Sequence, residues 1–137
     1  IIMTQPDPIL PVLADDELSE RAAAVFDDIR ATRNTDFVNN IWRVLANDPN
    51  LLEQTWSEVK NTLTEDSELD VLTKQLIYIA VSVAQNCNYC IRSHTAAARA
   101  LGLTDAQLAE LHTVIGLAAK TNRLAQGLQV PIDEAFL

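Results

Sequence analysis

The chain has 137 residues, 48% of them hydrophobic and 21% charged, and ten Lys plus Arg against nineteen Asp plus Glu give a net charge of -9. That length predicts one domain, 1–137, able to bury a core without a disulfide scaffold. The acidic balance excludes nucleic acid and anionic membrane surfaces as partners, because both are held by clustered cations, and three Gly and five Pro exclude collagen-like and low-complexity classes.

Residues 1–14 read as an extended leader punctuated by Pro6, Pro8 and Pro11. It lacks the basic start and small-residue cleavage site of a secretory signal. The chain opens on Ile, so either Met3 is the native start or an upstream segment is removed. The expected address is the cytoplasm, where thiols stay reduced. Asp15 or Asp16 is expected to cap a first helix carrying Leu18, Ala22, Val25, Phe26 and Ile29 at helical spacing. Thr32 to Asp36 is a polar connector, and a second short helix carries Phe37, Ile41, Val44 and Leu45.

Asp48 followed by Pro49 predicts a cap with proline at the first helical position, opening a third helix with Leu52, Trp56, Val59 and Leu63 inward. Trp42 and Trp56 read as core. Thr64 to Glu68 breaks the pattern, and Ser67 with Asp70 resembles a capping box. The next helix carries Leu72, Leu76, Ile79, Ala80 and Val83, and its run Leu76 to Ala84 is apolar on most faces. It is therefore expected to be the most buried element. That run falls far short of the ~20 residues a membrane span needs.

Asn86-Cys87-Asn88 interrupts the pattern, and a further helix is expected from Asn88 to Leu101, ended by Gly102 in a left-handed cap. Thr104 with Gln107 forms a second capping-box signature, before a stripe of Leu108, Leu111, Ile115, Ala118 and Ala119 running on towards Leu124. His112 lies beside this stripe and reads as surface or interface, and nothing in the pattern singles out Arg123. No hairpin signal appears, so the fold class is all-α.

The chemistry gathers in Cys87-Asn-Tyr-Cys90-Ile-Arg-Ser-His94, which holds both cysteines of the chain. At about 100° per residue, Cys87, Cys90 and His94 fall at about 0°, 300° and 340°, on one stripe of a helix. Cys87 sits at or just before the helix start, where N–H groups and the dipole favour a thiolate. His94, one turn beyond Cys90, is placed to take or return its proton. Such a pair is suited to a reversible dithiol/disulfide couple. Two other readings stand beside it. Cysteines also pack as small hydrophobes in a core. Cys87, Cys90 and His94 also offer three zinc ligands, although on one short segment, with His112 the only other histidine.

The run Leu72-Thr-Lys-Gln-Leu-Ile-Tyr-Ile-Ala-Val-Ser and the segment Asn86-Cys-Asn-Tyr-Cys-Ile-Arg-Ser-His-Thr-Ala-Ala-Ala-Arg resemble the carboxymuconolactone decarboxylase family. So do Gly102-Leu-Thr-Asp-Ala-Gln-Leu and the tail from Asn122 to Phe136, and the likeness is to the AhpD-like alkylhydroperoxidase branch. The resemblance implies an AhpD-like helical domain of about six to seven helices assembled as a homo-oligomer, a trimer or hexamer. It also implies thiol-dependent reduction of organic hydroperoxides, with a dithiol as electron donor and no metal or organic cofactor. Carried onto this sequence, the attacking cysteine is Cys90, the resolving one Cys87 and the family histidine His94. From the residues alone the order of attack stays open: the helix dipole favours Cys87 and proximity to His94 favours Cys90.

At one position the sequence departs from the family. Gln75 stands twelve residues before Cys87, where the family carries a glutamate in its proton relay. An amide accepts no proton at neutral pH, and Asp70, the nearest acid on that helix, lies about 140° around it and reads as a helix-start charge. Tyr89, between the cysteines, is a candidate to touch substrate. The leading expectation is a hydroperoxide-reducing dithiol enzyme, weakened at Gln75. The alternatives are a redox-sensing or structural oligomer, and a decarboxylase-type enzyme acting on a small carboxylated lactone.

Overall fold

The computed structural model describes residues 5–137; the leader's first four residues, and with them Met3, lie outside the described residues. Among the described residues all regular structure is helical, in the order α1 (Glu20–Arg33), α2 (Asn40–Leu45), α3 (Pro49–Leu63), α4 (Val71–Ala84), α5 (Asn88–Ala100) and α6 (Asp105–Gly127), with short 3-10 turns at Asp15–Glu17 and Glu134–Phe136. No described helix is long and apolar enough to cross a membrane. The chain divides into two compact units, 1–65 and 66–137.

In the first unit α1 is the best-buried element, with Ala22, Val25, Phe26 and Ile29 against Val38, Trp42, Ala46, Leu52 and Trp56. The cap of α1 is Ser19, whose side chain accepts from Ala22 N, and not Asp15 or Asp16. Asp15 instead pairs with Arg30 and Arg43. A hydroxyl one residue before the helix reaches the exposed N–H groups, whereas Asp15 and Asp16 belong to the separate 3-10 turn. Asp48 caps α3 by accepting from Asn50 N and Leu51 N, with Pro49 at the helix start.

The inward face of the second helix also differs from expectation. Val38, Trp42 and Ala46 are buried, while Phe37 and Ile41 are exposed. A helix of six residues is oriented by its largest contact, here the edge-to-face packing of Trp42 on Trp56 at 5.4 Å.

The second unit packs α4 chiefly on α5, and also on α6. Ile79, Ala98 and Leu103 form its buried centre, with Leu72, Leu76, Val83, Leu108 and Leu111 packed around them. Asp70 caps α4 directly by accepting from Thr73 N at 2.7 Å. Ser67 therefore closes no capping box; its N–H donates to Leu69 O. Thr104 and Gln107 do form the expected box before α6, and Gly102 takes the left-handed conformation at φ 98° after α5.

The expectation that the Leu76 to Ala84 helix is the most buried element is corrected. Only Gln75, Ile79 and Ser82 of α4 are buried, and Ile77, Tyr78 and Val81 are exposed. A helix apolar around most of its circumference needs neighbours on several sides, and the buried residues of this one form a single stripe.

Candidate active site

The site starts from a backbone event. Asn86 takes the left-handed conformation at φ 57° and ends α4. Cys87 N then donates to Ser82 O at 3.0 Å, which turns the chain straight into α5. This makes Cys87 the residue that caps α5. Its Sγ accepts from Cys90 N at 3.2 Å, in the role a serine hydroxyl usually plays. The two cysteines are joined in a disulfide, and both are half-buried. Bonded and half-buried, the pair differs from thiols packed as small hydrophobes in a core. In the reduced chain the same N–H and the positive end of α5 favour a thiolate at Cys87.

His94 follows Cys90 by four residues, so the two are neighbours on one face of α5. Its Nδ1 lies 2.8 Å from Gln75 Oε1. A carbonyl oxygen only accepts, so Nδ1 carries the proton and the neutral ring keeps its lone pair on Nε2. Gln75 is 7% exposed, so little water competes for this bond. The Tyr78 ring stacks on the imidazole, with centroids 3.8 Å apart and planes 26° apart. Tyr78 stands one turn after Gln75 on α4 and shares its face.

Of the five residues singled out from the sequence, the structure joins Cys87 to Cys90 and His94 to Gln75, with His94 one turn beyond Cys90 on α5. Tyr89 stands on the first turn of α5, exposed. Asp70 is the cap of α4, and that backbone bond lowers its carboxyl below the ordinary value. His112 is exposed on α6, where its Nδ1–H donates to Leu108 O at 2.9 Å. Among the described residues no three His, Cys, Asp or Glu side chains converge as metal ligands. Sequence reasoning missed Tyr78. The available signal was its spacing of three from Gln75, which places both on whichever face meets α5.

The sequence model of the carboxymuconolactone decarboxylase family matches residues 50–133, a span that crosses the boundary between the two units. A solved structure, the alkylhydroperoxidase AhpD core from Rhodospirillum rubrum, is similar throughout. Its identity is 56%, over 94% of this chain and 96% of that chain, with a TM-score of 0.92. No curated protein matches. The disulfide-capped helix, the histidine one turn along it and the extent of both matches agree: the chain belongs to the carboxymuconolactone decarboxylase family.

Proposed function

We propose that this protein is a dithiol peroxidase that reduces organic hydroperoxides by cycling Cys87 and Cys90 between dithiol and disulfide. The observation that carries the reading is the Cys87–Cys90 disulfide at the head of α5, with His94 one turn on and held by Gln75. The name of the similar Rhodospirillum rubrum protein supports it.

In the reduced chain His94 Nε2 takes the proton of Cys90. The thiolate attacks the outer oxygen of ROOH, so that an S–O bond forms as the O–O bond breaks. Cys90 becomes a sulfenic acid, and the leaving alkoxide takes the proton from His94 to depart as ROH. Cys87 then attacks the sulfenic sulfur; the S–S bond forms and hydroxide leaves with the thiol proton as water. A partner dithiol returns two electrons and two protons by thiol–disulfide exchange. The cycle calls for no metal or organic cofactor, and a reducing compartment such as the cytoplasm suits it.

The test is hydroperoxide consumption with several dithiol donors, beside the Cys90→Ser variant. The reading expects turnover that Cys90→Ser and thiol alkylation both abolish. Turnover of a carboxylated lactone that survives alkylation would support the decarboxylase reading instead.

A further inference from the structure

We propose that Tyr78 is a positioning residue for His94, its ring face holding the imidazole plane and steadying the imidazolium that forms when the thiol loses its proton. The inference rests on the dithiol reading of the site and extends it to a residue outside the cysteine motif.

Three observations meet here. The two rings stack at 3.8 Å with planes 26° apart. Gln75, one turn earlier on α4, accepts from Nδ1 of the same imidazole at 2.8 Å. One turn further along α4, Ser82 Oγ donates to Tyr78 O at 2.7 Å. The hydrogen bond sets which nitrogen carries the proton, and it constrains the tilt of the ring less than contact across the ring face does. A second ring against its face supplies that contact.

The charge argument runs the same way. Gln75 is neutral and solvates an imidazolium with one carbonyl dipole. An aromatic face attracts a cation through its quadrupole. Together they supply part of the stabilisation a carboxylate at position 75 would give. From α4 the imidazole meets Gln75, which does not titrate, and Tyr78; on its own helix the Cys87–Cys90 pair precedes it. The nearest charge in sequence to His94 is Arg92, two residues before it, and Lys74 adjoins Gln75.

The experiment is a pH titration of the reduced full-length chain, labelled with ¹⁵N at histidine and followed through both imidazole rings. Tyr78→Leu is expected to lower the His94 midpoint by about half a pH unit, and to lower kcat for hydroperoxide about two- to fivefold, the yield of one exposed cation–π contact. Tyr78→Phe keeps the ring face and should restore both values. His112, on α6 with its own backbone partner, should not move in either variant. A folded Tyr78→Leu protein with the wild-type His94 midpoint overturns the proposal, and so does a Tyr78→Phe protein that shifts as far as Tyr78→Leu. Should Tyr78→Leu fail to fold, the wild-type chain decides. Cross-relaxation between the Tyr78 and His94 ring protons is expected, and its absence overturns the stack. A wild-type chain that consumes no hydroperoxide would defeat the peroxidase reading alone, since the His94 midpoints still test Tyr78.

Discussion

His94 on α5 donates from Nδ1 to the side-chain oxygen of Gln75 on α4, 2.8 Å away and nineteen residues earlier in the chain. The bond holds the imidazole in the tautomer whose Nε2 accepts a proton. It supplies orientation without a negative charge. In the proposed cycle the base that activates the thiol is thus an imidazole with a neutral partner.

Substitutions at Gln75 follow from this contact. Gln75→Glu places a carboxylate on the imidazolium and should raise hydroperoxide turnover near pH 7. General-base assistance is worth about 10²–10⁴-fold in evolved sites, and a site shaped for an amide should recover the low end, about tenfold. Gln75→Ala removes one neutral hydrogen bond and should lower turnover by about fivefold. Steady-state rates at pH 7 check both. A folded Gln75→Glu protein that reacts no faster would mean that His94 and water already complete the relay, or that peroxide is not the substrate.

The cysteine pair itself is tested by intact mass. A small organic hydroperoxide should convert the reduced chain to a form lighter by about two hydrogens, and reductant should restore it. Cys87→Ser should instead progress to sulfinic acid on Cys90, because no second thiol traps the sulfenic acid. Wild-type protein that yields only sulfinic or sulfonic acid would remove Cys87 from the resolving role.

The cap geometry also predicts which sulfur the electron donor attacks. Cys87 Sγ already accepts the Cys90 N–H at the positive end of α5, so a thiolate leaves more readily from Cys87 than from Cys90. The donor should therefore attack Cys90. When Cys87→Ser and Cys90→Ser are each incubated with a mixed-disulfide reagent and then a dithiol donor, the donor adduct should accumulate on Cys90 of Cys87→Ser. Equal trapping on both variants would contradict this.

Assembly follows from exposed apolar surface. Ile77 and Val81 on α4, Val114, Leu117 and Leu124 on α6, and Leu128, Val130, Ile132 and Phe136 beyond it are all exposed. So much uncovered aliphatic and aromatic surface in one chain is expected to be buried between copies. We propose a homo-oligomer, in which the exposed apolar residues of α4 would be covered. Sedimentation at micromolar concentration should show a trimer or larger species, and a 15.1 kDa particle alone would count against it.

Acid stability is set in part by two carboxylates of the first unit. Asp28 accepts from Lys60 at 2.9 Å and from Trp56 Nε1 at 2.7 Å, and these bonds hold its carboxyl below the ordinary value, Lys60 first. Arg43, then Arg30, do the same for Asp15. A carboxyl lowered in the folded state stabilises fully above its unfolded pKa, and that contribution is lost as pH falls through the folded value. Unfolding by urea should thus become easier below about pH 4. Both carboxylates are more than a third exposed, so solvent screening keeps each pair to less than about 1 kcal/mol. Asp28→Asn should be slightly less stable than wild type at pH 7, and the two should converge in acid. A gap that persists unchanged at low pH would assign the loss to packing.

The sequence by itself determined whatever is written within a few residues. Asp48-Pro49, Gly102 and the Thr104/Gln107 box mark helix ends, because a cap satisfies N–H groups one turn away. The placement of Cys87, Cys90 and His94 on one face of α5 was legible for the same reason, since helical spacing alone puts them there. Resemblance marked position 75 as well, but what Gln75 touches was decided by the packing of α4 on α5. The same packing set Tyr78 on the imidazole. Tertiary structure likewise chose Val38, Trp42 and Ala46 as the inward face around α2, and left much of α4 uncovered. A helix's own sequence states which residues share a face. Which face meets a neighbour, and which side chains then come within hydrogen-bonding or stacking distance, depends on the shape of both helices at their contact.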